Sequence, residues 1–149
     1  MRAVIQRVTE ASVTVSGDLI SQIGTGFLVL LGVENGDTEK DAEYLAGKTE
    51  KLRVFEDHDG KMNLSVRDVK GEILAVSQFT LLGDARGQNR PSFVRAEKPE
   101  EADRLYRYYC EKLEESGIPV KRGIFRADMK VRLLNDGPVT ILLDSRKIF

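Results

Sequence analysis

Alternation of apolar and polar positions dominates the start of the chain. Ala11, Val13 and Val15 alternate with Ser12, Thr14 and Ser16, the period-two pattern of a strand with one buried face. Ser16-Gly17-Asp18 marks a turn, and Leu19 to Ile23 returns as a hairpin partner. A second turn at Gly24-Thr25-Gly26 leads into Phe27-Leu28-Val29-Leu30-Leu31, which reads as a strand buried on both faces. The pattern then changes period. Ala42, Leu45, Ala46, Thr49 and Leu52 fall at helical spacing behind Thr38 and Asp41, which resemble a capping box. Arg53-Val54-Phe55 and Asn63 to Val66 flank Asp57-His58-Asp59-Gly60, a hairpin turn by its Asp-Gly pair. Glu72 to Phe79 reads as another core strand, and residues 82–98 as a polar loop.

The second helix is the clearest element. Ala102, Leu105, Tyr106, Tyr109, Cys110 and Leu113 form one stripe behind Pro99, and Gly117 with Pro119 ends it. Met129, Val131 and Leu133 then alternate with Lys130 and Arg132. Asn135-Asp136-Gly137-Pro138 is expected to turn the chain into a last strand, Val139 to Leu143. The sum is α+β: a largely antiparallel sheet of about seven or more strands with two main helices, in one domain over 1–149.

Composition narrows the function. Lys plus Arg is 23 and Asp plus Glu is 24, a net charge of -1, so nucleic acid is not gripped by bulk charge and any such site is a local patch. The single cysteine excludes an intrachain disulfide framework and a multi-thiolate metal site, and the single histidine excludes a site needing two imidazoles. The longest apolar run, Phe27 to Leu31, falls far short of the roughly 20 residues that span a bilayer. With no signal-peptide core near Met1, a cytoplasmic protein without membrane contact is expected.

Most candidate sites have a plain explanation. His58 between Asp57 and Asp59 reads as a solvated turn residue, and the stretch from Asp57 lacks the glycine and glutamate positions of a calcium loop. Cys110 lies in the apolar stripe and reads as a small buried hydrophobe. Arg86, Arg90 and Arg95 are either solvated loop residues or contacts to a nucleic-acid backbone. Two stretches say more. Ser77-Gln78-Phe79-Thr80-Leu81 ends an apolar strand in polar side chains, a common place for chemistry. Asn135-Asp136-Gly137-Pro138-Val139-Thr140 continues past the Asp-Gly where a plain hairpin would stop.

Ser77-Gln78-Phe79-Thr80 and Asn135 to Thr140 resemble the two signature motifs of the D-aminoacyl-tRNA deacylases, also called D-tyrosyl-tRNA deacylases. Met1 to Val8, Asp59 to Ser65, Arg90-Pro91-Ser92-Phe93 and Ala127-Asp128-Met129 are similar to that family too, in order and at family length. One departure is Gly87-Gln88-Asn89, less basic than the family pattern.

The resemblance implies a barrel-like α+β fold. It also implies a homodimer that hydrolyses the ester between a D-amino acid and the 3'-terminal adenosine of tRNA. Glycine, as on mischarged tRNA(Ala), is accepted as well, and no metal or organic cofactor takes part. It implies catalysis by the N–H groups of Phe79 and Thr80 acting as an oxyanion hole, with Ser77 and Gln78 fixing the loop. It implies that Gly137 and Pro138, joined by a cis bond, enter the partner's site and exclude L-amino acids. Phe125 and Met129 would wall the adenine pocket, and Arg86, Arg90 and Arg95 would touch the tRNA. The Thr80 hydroxyl has no evident base in the sequence, so a water nucleophile is expected over a covalent acyl-enzyme. A non-catalytic module binding the tRNA end, and a purely structural sheet dimer, are the alternatives.

Overall fold

A computed structural model describes residues 1–149. The strands are β1 (Arg2–Val15), β2 (Asp18–Ile23), β3 (Gly26–Gly32), β4 (Phe55–Glu56), β5 (Met62–Leu64), β6 (Glu72–Ser77), β7 (Val120–Arg122) and β8 (Lys130–Asp144). The helices are α1 (Glu39–Lys51) and α2 (Pro99–Glu115). The main sheet runs β2-β1-β3-β6-β7, with β8 on β1, while β4 and β5 form a separate hairpin. Pairings around β1 are antiparallel, but β3–β6 and β6–β7 are parallel. The sheet curls until its ends meet: the Ser21 hydroxyl donates to the Arg122 carbonyl at 2.5 Å, and Lys121 Nζ donates to the Gln22 carbonyl at 2.6 Å.

Strand alternation sorts side chains into two cores. Phe27, Val29, Leu31, Ile73 and Ala75 face the helices, where they pack with Leu45, Leu105, Tyr109 and Leu113. Leu28, Leu74 and Val76 face the barrel interior with Val8, Ala11 and Val13. Strand β3 is thus apolar throughout because both its faces are covered. Along β1, Ala3 and Ile5 face the helices whereas Ala11 and Val13 face the interior. Register shifts between Gln6 and Glu10 make that change possible, since one displaced residue exchanges the faces.

The helices follow their patterns. Asp41 Oδ2 accepts the Thr38 N–H at 2.8 Å, satisfying one orphan donor at the start of α1. In α2 the buried residues are the six of the sequence stripe. Cys110 is among them, and burial pushes its thiol up to about 12, so it stays protonated and inert at neutral pH.

Where α1 meets α2, Thr49 Oγ1 lies 2.8 Å from the Tyr109 hydroxyl in a fully buried contact and donates to the Leu45 carbonyl. Thr49→Val keeps the shape but strands the Tyr109 hydroxyl. It is expected to cost about 1–3 kcal/mol in urea denaturation, with part recovered when Tyr109→Phe is added.

Two expected elements differ. The strand over Glu72 to Phe79 stops at Ser77, because Phe79–Leu82 forms a 3-10 turn. Asn135 to Pro138 does not reverse the chain: β8 is one strand whose two halves both pair with β1. Gln6 pairs with Thr140 and Val8 with Asn135, so Asp136 to Val139 all stand opposite Arg7 alone. The motif is a large bulge in a continuous strand.

Candidate active site

The parallel strand β6 delivers its C-terminal end to the mouth of a cleft of about 750 Å³. Ser77, Gln78, Phe79, Thr80, Phe125 and Met129 all line it, so six of the expected residues share one cavity. Helix α2 shapes the far wall. The Tyr106 hydroxyl donates to the Ala75 carbonyl at 2.7 Å, and its ring packs 6.3 Å from that of Phe125.

Local geometry at residues 78–80 decides what this cleft can do. The Gln78 N–H is tied to the Leu31 carbonyl at 2.8 Å, fixing the exit from β6. The Leu81 N–H returns to the Gln78 carbonyl and the Gly83 N–H to that of Thr80. Phe79 and Thr80 open the turn, and no preceding carbonyl or capping side chain accepts their N–H groups. The sequence therefore places two adjacent main-chain donors, on exposed residues, beside an apolar cavity. Thr80 Oγ1 accepts from Gln78 Nε2 at 2.9 Å and has no base beside it.

The two carboxylates of the cleft are engaged by neighbouring donors. Glu97 accepts the Lys98 N–H at 2.7 Å and the Gly36 N–H at 3.2 Å, and Asp128 pairs with Lys130 at 3.3 Å. Lys98 and Arg126 also line the cleft. Neither was legible as a site residue, because the segments that carry them meet only through tertiary packing. His58 lies in its exposed turn outside the cleft.

The other expected residues lie outside this cavity within one chain. Arg86 forks onto Asp84 with contacts of 2.9 and 2.6 Å, which holds the Asp84 carboxyl well below its usual range. Arg95 is bound by the buried Glu34, its Nη2 2.5 Å from Oε1. Arg90 is exposed.

Gly137 and Pro138 are exposed on β8 and joined by a cis peptide bond. Their bulge is held from below. Asn135 Oδ1 accepts the Val139 N–H at 3.1 Å, and its Nδ2 donates to Thr140 Oγ1 at 3.2 Å. Arg7, absent from the sequence expectations, is buried beneath. Its Nε donates to the Asp136 carbonyl at 3.0 Å and its Nη1 to the Val54 carbonyl at 2.7 Å.

Known proteins resemble this chain over nearly its whole length. Residues 4–144 match the family model described as D-Tyr-tRNA(Tyr) deacylase. A D-aminoacyl-tRNA deacylase of Geobacter sulfurreducens is 60% identical over 98% of this chain and 96% of its own length. One from Thermoanaerobacter pseudethanolicus is 54% identical over 100% of both chains. Among solved structures, the c-Myc DNA unwinding element binding protein superposes with a TM-score of 0.91 at 48% identity, covering 97% of this chain and 98% of its own. A probable eukaryotic D-amino acid tRNA deacylase shares the fold, with a TM-score of 0.77 at 17% identity over 96% and 98% of the two chains. The chain therefore belongs to the D-aminoacyl-tRNA deacylase family, hydrolases that act on the ester bond of aminoacyl-tRNA.

Proposed function

We propose that this protein clears D-amino acids from tRNA by hydrolysing their ester to the 3'-terminal adenosine, and that it does so as a homodimer. The observation that carries the reading is the pair of unengaged N–H groups of Phe79 and Thr80 at the cleft. An aminoacyl ester is already activated, so what its hydrolysis needs is stabilisation of the oxygen that gains charge. Two fixed main-chain dipoles beside an apolar cavity supply that without reorganising, and one such donor is worth roughly 2.7–4 kcal/mol. Water is the nucleophile. The Thr80 oxygen already accepts from Gln78 and lacks a base, so it is a poor attacking group. The neighbouring 2'-hydroxyl of the ribose is placed to orient the water.

Selectivity comes from the second chain. The outer edge of β8 is unpaired over a fifteen-residue strand, and Leu134 and Leu142 stand 51% and 54% exposed on it. Such an edge is normally covered, and a second copy covers it while carrying the Gly137-Pro138 bulge towards the neighbour's cleft. The carbonyl oxygens of the bulge then receive the substrate's α-ammonium. With ammonium and ester both fixed, a D side chain points outward and an L side chain collides with the bulge, so discrimination is repulsive. Glycine has no side chain to collide, and glycyl-tRNA(Ala) is a substrate on this account. Phe125 and Met129 wall the adenosine.

The test is hydrolysis of D- and L-tyrosyl-tRNA by the protein and by Thr80→Ala. The D form is expected to be cleaved and the L form spared. Thr80→Ala keeps its N–H and is expected to lose less than about tenfold in kcat, against the 10²–10³-fold that follows loss of a hole donor. Binding of tRNA without turnover would leave only a binding module, and total loss of activity in a folded Thr80→Ala dimer would give the hydroxyl the central role.

A further inference from the structure

We propose that the mouth of the cleft is a single-strand grip in which Phe93 stacks on a base upstream of the terminal adenosine, while Lys98 and Arg126 hold its phosphates. The inference rests on the reading above that the aminoacyl-adenosine end occupies the cleft, and it extends that site outward along the RNA. Phe93 closes the Arg90-Pro91-Ser92-Phe93 stretch, to which the mechanism gives no part.

Its placement is built. Asp84 and Ser92 exchange two main-chain hydrogen bonds of 2.8 Å, which pin the ends of the intervening loop. Gly83 clears the space beneath: a Cβ there would stand 3.0 Å from Phe93 Cε1 and 3.0 Å from the Thr80 carbonyl. The ring lies edge-on to Phe79, centroids 5.2 Å apart and planes at 74°. Both rings line the cleft, yet Phe79 is 56% and Phe93 38% exposed, and Val94 beside them is 79% exposed.

A pinned aromatic step at the rim of a substrate cavity fits a planar apolar ligand. The two cations of the same cleft, Lys98 and Arg126, form no ion pair with any carboxylate of the chain. Aromatic steps beside unpaired cations are how proteins hold single-stranded nucleic acid, since every base offers a π-face and every link a charge. The 3' end of tRNA is such a strand. Arg86 and Arg95, by contrast, spend their charge on Asp84 and Glu34.

The experiment compares D-tyrosyl-tRNA with D-tyrosyl-adenosine, which lacks the upstream nucleotides, for the wild type, Phe93→Ala and Phe93→Tyr. Base stacking is worth about a five- to 150-fold change. Phe93→Ala is therefore expected to raise KM for the tRNA at least fivefold more than for the adenosine ester, with Phe93→Tyr restoring it. Lys98→Ala and Arg126→Ala are each expected to lower the salt dependence of tRNA binding by about 0.7 in log–log slope. Equal losses on both substrates would mean that Phe93 only supports Phe79, and equal activity on both would mean that it touches no base; either result overturns the proposal. Absence of D-tyrosyl-adenosine hydrolysis by the wild type would instead count against the reading of the cleft.

Discussion

Gly137→Ala is expected to reduce kcat/KM for D-tyrosyl-tRNA by about 10²-fold or more while leaving the protein folded. Gly137 has φ +132°, a conformation that L-residues rarely adopt. An added Cβ would lie 2.8 Å from Val139 Cγ2 and 3.1 Å from Arg7 Nη2. Val139 is buried and its N–H is held by Asn135, so it has little room to yield. Arg7 is fixed by the Asp136 and Val54 carbonyls. The bulge must therefore move, and the carbonyls assigned to the substrate ammonium move with it. Displacements of about 1 Å at a reacting centre cost on the order of 10²-fold. Because the bulge is exposed in the single chain, the stability cost should stay near that of local backbone strain, about 1–3 kcal/mol. Initial rates on D- and L-tyrosyl-tRNA, with a thermal melt as control, check this. Unchanged D-rates together with unchanged rejection of the L form would remove the bulge from the selectivity account.

The bulge also marks the limit of what local sequence conveys. Asn135-Asp136-Gly137-Pro138 has the residue chemistry of a reversal and of a bulge alike. What separates the two is that residues on both sides pair with the same strand, β1, a long-range fact. Helix α2 was legible because its six buried residues recur at a period that no strand shares. Phe79 misled in the opposite sense: an apolar residue shortly after the buried run of β6 reads as core strand, yet it is exposed at a cleft. The 3-10 turn that takes it there is what frees its N–H, so the misread residue lies within the candidate site. Ser77 to Thr80 and residues 135–140 stand out from residue chemistry as a polar strand end and a turn that runs past its Asp-Gly; their roles come only from the family resemblance. Arg7 did carry a local signal. It follows Ala3 and Ile5 on the alternation of β1, so a charged residue occupies a core-facing position. Such a residue needs buried acceptors, and the structure supplies two.

Arg7→Leu is expected to uncouple stability from selectivity in a way that identifies what this buried charge does. The leucine fills apolar space but offers no donor. The Val54 carbonyl, on a buried residue, is then left without the Nη1 bond of 2.7 Å. An unsatisfied buried acceptor costs about 1–3 kcal/mol. The Asp136 carbonyl belongs to an exposed residue and can turn to water, so it adds little to that loss. Its freedom matters for function instead. Asp136 immediately precedes Gly137, and without the 3.0 Å bond from Nε the bulge keeps only its Asn135 and Thr140 clamp. A filter that works by collision must be stiff, because a yielding wall no longer repels the L side chain. Arg7→Leu is therefore expected to lose D-activity by about tenfold and to gain measurable hydrolysis of L-tyrosyl-tRNA. Asn135→Ala should act in the same direction by loosening the other side. Denaturant melts together with rates on both enantiomers decide the point. A less stable Arg7→Leu protein with wild-type rejection of the L form would confine Arg7 to holding up the fold.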